Sequence, residues 1–146
     1  MRISDILRGK GEQVVTVTPD TKVERLLAVL AEHKIGAAVV SREGSTVDGI
    51  VSERDVVRAL ATRGASVLGE PVTSIHTAEV HTIAPDAALA DVERLMTERR
   101  FRHVPVVTDG RLRGIVSIGD VVKRRIDELE TERTTLTEYI TGSRTV

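Results

Sequence analysis

Two short stretches of this chain have residue types and spacing suited to ligand chemistry. They are Gly49-Ile50-Val51-Ser52-Glu53-Arg54-Asp55 and Gly114-Ile115-Val116-Ser117-Ile118-Gly119-Asp120. Each reads as a short apolar strand running directly into a helix, with a serine at the junction and an aspartate three residues later. A serine in that position sits beside unpaired helix N–H groups and the positive end of the helix dipole. That setting suits an anionic or polyhydroxylated ligand. Asp55 and Asp120 offer carboxylates that can accept from a vicinal diol, each charge-assisted bond being worth about 1.5–3 kcal/mol. The same Ser-x-x-Asp spacing is close to a capping box, which stabilises a helix start by about 1 kcal/mol without any ligand. The spacing alone supports both readings.

The elements that hold the two junctions repeat. Thr18-Pro19-Asp20 aligns with Ala84-Pro85-Asp86, and Ile35 to Val40 with Phe101 to Val106, at an offset of 66. Gly49 aligns with Gly114 at 65, and Ile3-Ser4-Asp5-Ile6 with Val72-Thr73-Ser74-Ile75 at 69. Two units of about 60 residues are too few for a solenoid, so a closed pair about a pseudo-two-fold axis is expected.

In the first unit, residues 3–8 form a helical lead-in broken by Gly9-Lys10-Gly11. A strand follows over 13–18, rich in β-branched residues. Asp20 or Thr21 caps a helix, with Glu24 completing a capping box. Val23, Leu26, Leu27, Leu30 and Ala31 form its buried stripe, and Gly36 ends it. Strands are expected over 37–41 and 47–51. A second helix over 52–63 buries Val56, Val57 and Leu60 and stops at Gly64. The second unit reads likewise: a strand over 80–84, then a helix capped by Asp86 with Leu89, Val92, Leu95 and Met96 inward. Strands over 104–107 and 112–116 follow, joined by Asp109-Gly110, and then a final helix from Ser117. The fold class is α/β (mixed α+β), a tandem β-α-β-β-α repeat. The division is 1–68, 69–130 and a helical tail over 131–146.

Composition narrows the function. The chain has 146 residues, 40% of them apolar, but one Phe, one Tyr and no Trp. The core is therefore aliphatic, and stacking platforms for single-stranded nucleic acid are missing. With 21 basic and 22 acidic residues the net charge is −1, which gives no global footprint for DNA or RNA. There are no cysteines, hence no disulfide and no thiolate metal site. No apolar run approaches the roughly 20 residues that span a bilayer, and the charged start of the chain is unlike a signal peptide. A cytoplasmic protein is expected. His33, His76, His81 and His103 form no His-x-x-x-His pair, so no metal site is expected. No glycine-rich loop with a lysine follows a strand, so ATP hydrolysis is not supported. No Ser-His-Asp arrangement is suggested, and no catalytic residue is assigned. In the last helix Val122, Ile126, Leu129, Leu136 and Ile140 fall at heptad steps, with Arg133 filling the missing one. This stripe is shorter than a confident coiled coil. It serves either the chain's own core or a partner subunit.

The two Gly-x-x-Ser-x-x-Asp junctions, the Arg102-His103-Val104-Pro105-Val106 run and the Pro-Asp helix starts, in tandem, resemble a CBS-domain pair (a Bateman module) of the small stand-alone bacterial type. The resemblance covers about residues 1–130. It implies a pseudo-two-fold pair whose cleft holds adenosine-containing ligands such as AMP, ADP or ATP, with no cofactor required, and a homodimer formed through helices. It also implies roles for individual residues. Asp55 and Asp120 would bind ribose hydroxyls, and Ser52 and Ser117 ribose or phosphate. Val17 and Thr18, or Ile83 and Ala84, would border the adenine, with Ile35, Gly36, Ala37 and Ala38 or Phe101, Arg102, His103 and Val104 beside them. Arg102 and His103, just ahead of Pro105, would meet phosphate. The first unit has Gly36-Ala37 in that place and offers Arg54 instead, so the second junction is the expected home of a phosphorylated ligand. The implied function is a regulatory nucleotide sensor acting on an unnamed protein. The alternatives are a scaffold with empty sites and a binder of S-adenosyl-methionine or nucleic acid.

Overall fold

The computed structural model describes residues 1–11 and 14–141. In chain order the elements are α1 (Ile3–Lys10), β1 (Thr16–Val17), α2 (Val23–His33), β2 (Ala37–Val40), β3 (Gly49–Ser52) and α3 (Glu53–Arg63). Two 3₁₀ turns, Ala65–Gly69 and Val72–Ser74, lead to α4 (Leu89–Arg99), β4 (His103–Thr108), β5 (Arg111–Ser117) and α5 (Ile118–Thr141). The fold is mixed α/β and repeats once along the chain. One sheet has the order β1-β2-β3, with β1 parallel and β3 antiparallel to β2. The other is the antiparallel pair β4-β5. The Asp109-Gly110 turn joins β4 to β5 with φ of 51° and 76°. Positive φ at both central residues is the hairpin geometry that matches strand twist.

Several local expectations are corrected. The strand expected over 80–84 is reduced to one parallel bridge, Ile83 to Val106, in which Ile83 N donates to Pro105 O at 3.0 Å and Val107 N to Ile83 O at 2.8 Å. The strand expected over 13–18 is only Thr16–Val17, and Gln13 lies outside the described residues. The helix caps are not those of the sequence reading. Lys22 and Ala88 precede α2 and α4, and neither side chain caps. Main-chain carbonyls from elsewhere do so instead: Val23 N donates to Glu70 O (2.9 Å) and Leu89 N to Met1 O (3.0 Å). Thr21 Oγ1 instead accepts from Thr18 N. α2 ends at Lys34 in the left-handed region (φ 55°), two residues before Gly36. On α3, Val57 is 64% exposed and Ala59 takes its buried place; Ala31 on α2 is exposed.

Two aliphatic cores form. One joins Val17, Val23, Leu26, Leu30, Ala38, Val40, Val51, Val56 and Val72. The other joins Leu89, Val92, Met96, Val104, Val106, Val116 and Val121 with Ile3, Ile6 and Leu7. Each lead-in thus completes the core of the other repeat. The lead-ins also explain the junction glycines. A Cβ on Gly49 would lie 2.5 Å from His76 Nδ1 and 2.9 Å from Thr77 O; one on Gly114 would lie 2.5 Å from Leu7 Cδ2.

Candidate functional site

The crossing lead-ins set up the site. Ser52, the last residue of β3, is pinned opposite Ala37 by the antiparallel ladder, and α3 starts at the next residue. Ser52 N and Oγ both donate to Asp55 Oδ2 (2.8 and 3.0 Å), and Asp55 N donates to Ser52 Oγ at 3.3 Å. This is a capping box, yet it occupies only one carboxylate oxygen. Asp55 Oδ1 bonds to no described residue. Asp55 and Ser52 line a cavity of about 370 Å³ that also takes in Gly36, Ile50, Thr77 and Phe101.

The helix N-terminus contributes less here than the sequence suggests. Glu53 N already donates to Gly36 O (2.9 Å) and Asp55 N to Ser52 Oγ, leaving Arg54 N in the first turn. Positive charge comes from side chains instead. Arg54, Arg58, Arg100 and Arg102 all line the cavity. All four are exposed, and none of their side chains hydrogen-bonds or pairs with a described residue. Glu53 and Glu79 line it too, so the lining is a mixed field with a cationic excess. On the apolar side Phe101 lies 6.0 Å from the His81 ring, at 35° to it. Guanidinium donors, a carboxylate acceptor and an aromatic wall together suit an anion that carries hydroxyls and a planar group.

Of the residues singled out in the sequence, Gly36, Ser52, Arg54, Asp55, Phe101, Arg102 and His103 meet at this cavity. Arg102 and His103 come from the second repeat and line the same cavity as Ser52 and Asp55, while His103 also sits opposite Ser117 in the β4–β5 ladder. The others lie elsewhere. Val17, Ala38 and Val104 are core residues, and Ala37 and Pro105 are buried in the sheets. Thr18 bonds to Asp20 and Thr21. Ile35 borders a shallow groove on α2. Ile83 packs at the edge of the second core, and Ala84 O accepts from Ala87 N. Ser117 and Asp120 line neither this cavity nor the groove. Arg58, Glu79, His81 and Arg100 were not picked out, since no motif marks them. Arg58 lies one helical turn beyond Arg54, a spacing that could have flagged it.

The second junction is built the same way but carries an extra partner. Ser117 N donates to Asp120 Oδ2 (2.9 Å), and Asp120 N to Ser117 Oγ (3.1 Å). Lys10 Nζ, at the end of α1, then donates to Asp120 Oδ2 at 2.6 Å and to Ile115 O at 2.8 Å. Burial pushes the Asp120 carboxyl up, but the Lys10 ammonium and the Ser117 bonds outweigh it and hold it below its ordinary value. His103 lies between the two junctions. Burial, then Lys10, lower its pKa, against the opposing pull of Asp120 and Glu53; Arg102 adds to the lowering.

These two groups give the fold an acid sensitivity of definite sign. A folded-state pKa below the unfolded value means the unfolded chain binds more protons, so stability rises with pH across that window. For His103 the loss begins as pH falls through the ordinary imidazole value of roughly 6.5. For Asp120 it begins lower, as pH falls into the ordinary carboxylate range, and continues below it. Thermal unfolding followed from pH 7.5 to 5 should show a falling midpoint, and His103→Gln should flatten that slope. An unchanged slope in the variant would remove His103 as its cause.

With the geometry in place, comparison with known proteins identifies the chain's family. The CBS domain family model matches residues 3–62 and 72–127, and the chain belongs to that family. It is 34% identical over 148 residues to the CBS domain-containing protein CBSX3, mitochondrial, of Arabidopsis thaliana, covering 96% of this chain and 72% of that one. Its fold matches the CBS-domain containing protein ATU1752 from Agrobacterium tumefaciens with a TM-score of 0.83 and 44% identity, over 86% of this chain and 99% of that one. It also matches CBS domain protein PAE2072 from Pyrobaculum aerophilum, solved in complex with AMP, with a TM-score of 0.73 and 28% identity over 82% and 89% of the two chains. The chain thus carries a CBS-domain pair.

Proposed function

We propose that the chain is a non-catalytic regulatory module that binds an adenosine-containing nucleotide in the cavity at the first junction. The observation that carries this reading is Asp55: one oxygen closes the helix cap, while the other bonds to no described residue, beside four arginines whose side chains pair with no described residue. In this reading Asp55 Oδ1 accepts from the ribose hydroxyls. Ser52 Oγ lies beside them, and Phe101 with Val80, which also lines the cavity, borders the adenine. Arg54, Arg58, Arg100 and Arg102 meet the phosphates. The AMP complex of PAE2072 supports the ligand class. Occupancy would shift the population of states that a partner protein reads.

A thermal-shift panel of AMP, ADP, ATP, NAD and S-adenosyl-methionine tests the reading. Selective stabilisation that grows with concentration, as mass action requires, is expected for an adenine nucleotide. A flat response across the panel would instead leave a scaffold with an empty cavity.

Self-assembly belongs to the same proposal. Val122, Ile126, Leu129, Leu136, Tyr139 and Ile140 on α5 are each about half exposed or more, so the apolar stripe does not serve the chain's own core. A second copy pairing along α5 would cover it. Deleting residues 127–146 should then turn a dimer into a monomer by light scattering. A dimer of unchanged stability would show that the tail is not required. The absence of cysteine fits a cytoplasmic setting for such a module.

A further inference from the structure

We infer that Lys10 is a built-in plug at the second junction, so that each chain takes one nucleotide, at the Asp55 cavity, rather than two. The inference rests on the nucleotide reading above and assigns it a stoichiometry. The two junctions share their sequence pattern and a reciprocal serine–aspartate cap, yet the 370 Å³ cavity is lined by Ser52 and Asp55 and not by Ser117 or Asp120. What differs is the lead-in that crosses each one. At an offset of 69, Lys10 in the first lead-in corresponds to Glu79 in the second.

Beside the first junction the lead-in makes main-chain contacts, with Thr77 N donating to Ile50 O (2.9 Å) and Ile50 N to Thr77 O (3.0 Å). It places Glu79 on the cavity lining, where a carboxylate cannot donate to Asp55. Beside the second junction the matching carbonyl, Ile115 O, is taken by Lys10 Nζ, which also holds Asp120. Lys10 bonds Asp120 Oδ2, the oxygen the cap already uses, so it acts through charge: a tethered ammonium on the carboxylate cancels the charge that would make hydroxyl bonds to the remaining oxygen strong. The second junction is further short of cations: Ile118-Gly119 stands where the first has Glu53-Arg54, and Arg102 faces the other opening.

Calorimetric titration of the full chain with AMP, with ATP as a parallel series, tests the plug. The wild type should bind one nucleotide per chain. That binding should be lost or weakened at least tenfold in Asp55→Asn and kept in Asp120→Asn. Lys10→Met keeps the aliphatic stem while removing the charge. It should raise the count to two, and the added site should disappear when Asp120→Asn is combined with it. Lys10→Ala serves as the second uncharged variant, and Lys10→Arg should stay at one.

Two nucleotides on the wild type, one of them lost in Asp120→Asn, would overturn the plug. So would a wild type with one site that stays at one in both Lys10→Met and Lys10→Ala, and in that case the Asp55 reading survives. A wild type with none whose Lys10→Met form binds one would do the reverse, removing the Asp55 site and keeping the plug. No binding by any form would remove both.

Discussion

Asp55→Asn is expected to weaken adenine-nucleotide binding by about tenfold to a hundredfold while leaving the fold intact. Asparagine keeps one carbonyl oxygen for the Ser52 amide, so the capping box loses little. The other position becomes an NH₂, which cannot accept from a ribose hydroxyl. Losing one charge-assisted bond costs about 1.5–3 kcal/mol, and each 1.4 kcal/mol is tenfold in affinity. Asp55→Ala should weaken binding similarly but also lower the unfolding temperature, since removing the N3 carboxylate of a capping box costs about 1 kcal/mol in helix stability. The two variants therefore separate the capping role from the binding role. If Asp55→Asn bound AMP and ATP as tightly as the wild type, with its unfolding unchanged, the carboxylate would be a cap and nothing more.

The largest effect on stability is expected from Gly49→Ala. The new Cβ would lie 2.9 Å from Thr77 O and 2.5 Å from His76 Nδ1. Thr77 cannot retreat freely, because its main chain exchanges two hydrogen bonds with Ile50. Overpacking of this kind costs about 1–3 kcal/mol, and a chain of this size loses roughly 2–4 °C of Tm per kcal/mol. Gly114→Ala provides the contrast. The atoms nearest its Cβ would be Leu7 Cδ2, Cδ1 and Cγ, part of a side chain that can change rotamer, so the loss should be smaller. Thermal unfolding of both variants checks the order. A Gly114→Ala variant less stable than Gly49→Ala would contradict the view that the main chain of the second lead-in is the rigid wall. Because Thr77 and Ile50 also line the cavity, Gly49→Ala should weaken nucleotide binding as well.

The repeat, the mixed α/β class and both serine–aspartate junctions were legible in the residues, because they depend on short-range chemistry. A β-branched run, a glycine and a Ser-x-x-Asp cap act within a few positions of one another. The Asp109-Gly110 turn was legible for the same reason, since few residue pairs tolerate positive φ twice in succession. The helix starts were not. The hydroxyl and carboxylate expected to cap α2 and α4 were available, but the carbonyls of Glu70 and Met1 satisfy those N–H groups from tens of residues away. The strand over 80–84 failed likewise. Its composition suits a strand, but only Ile83 finds a partner in β4.

By itself the sequence determined that two like junctions exist and that each carries a hydroxyl and a carboxylate at a helix mouth. Local spacing and backbone geometry demand this whatever the rest of the chain does. Only the tertiary structure decided that the two are not equal. Each lead-in crosses to the opposite repeat, so Lys10 reaches Asp120 across more than a hundred residues of sequence, while Arg102 lines the cavity that Asp55 lines. Whether a carboxylate is open or neutralised depends on which distant charge packing delivers to it, and that contact leaves no mark on its neighbours in the chain.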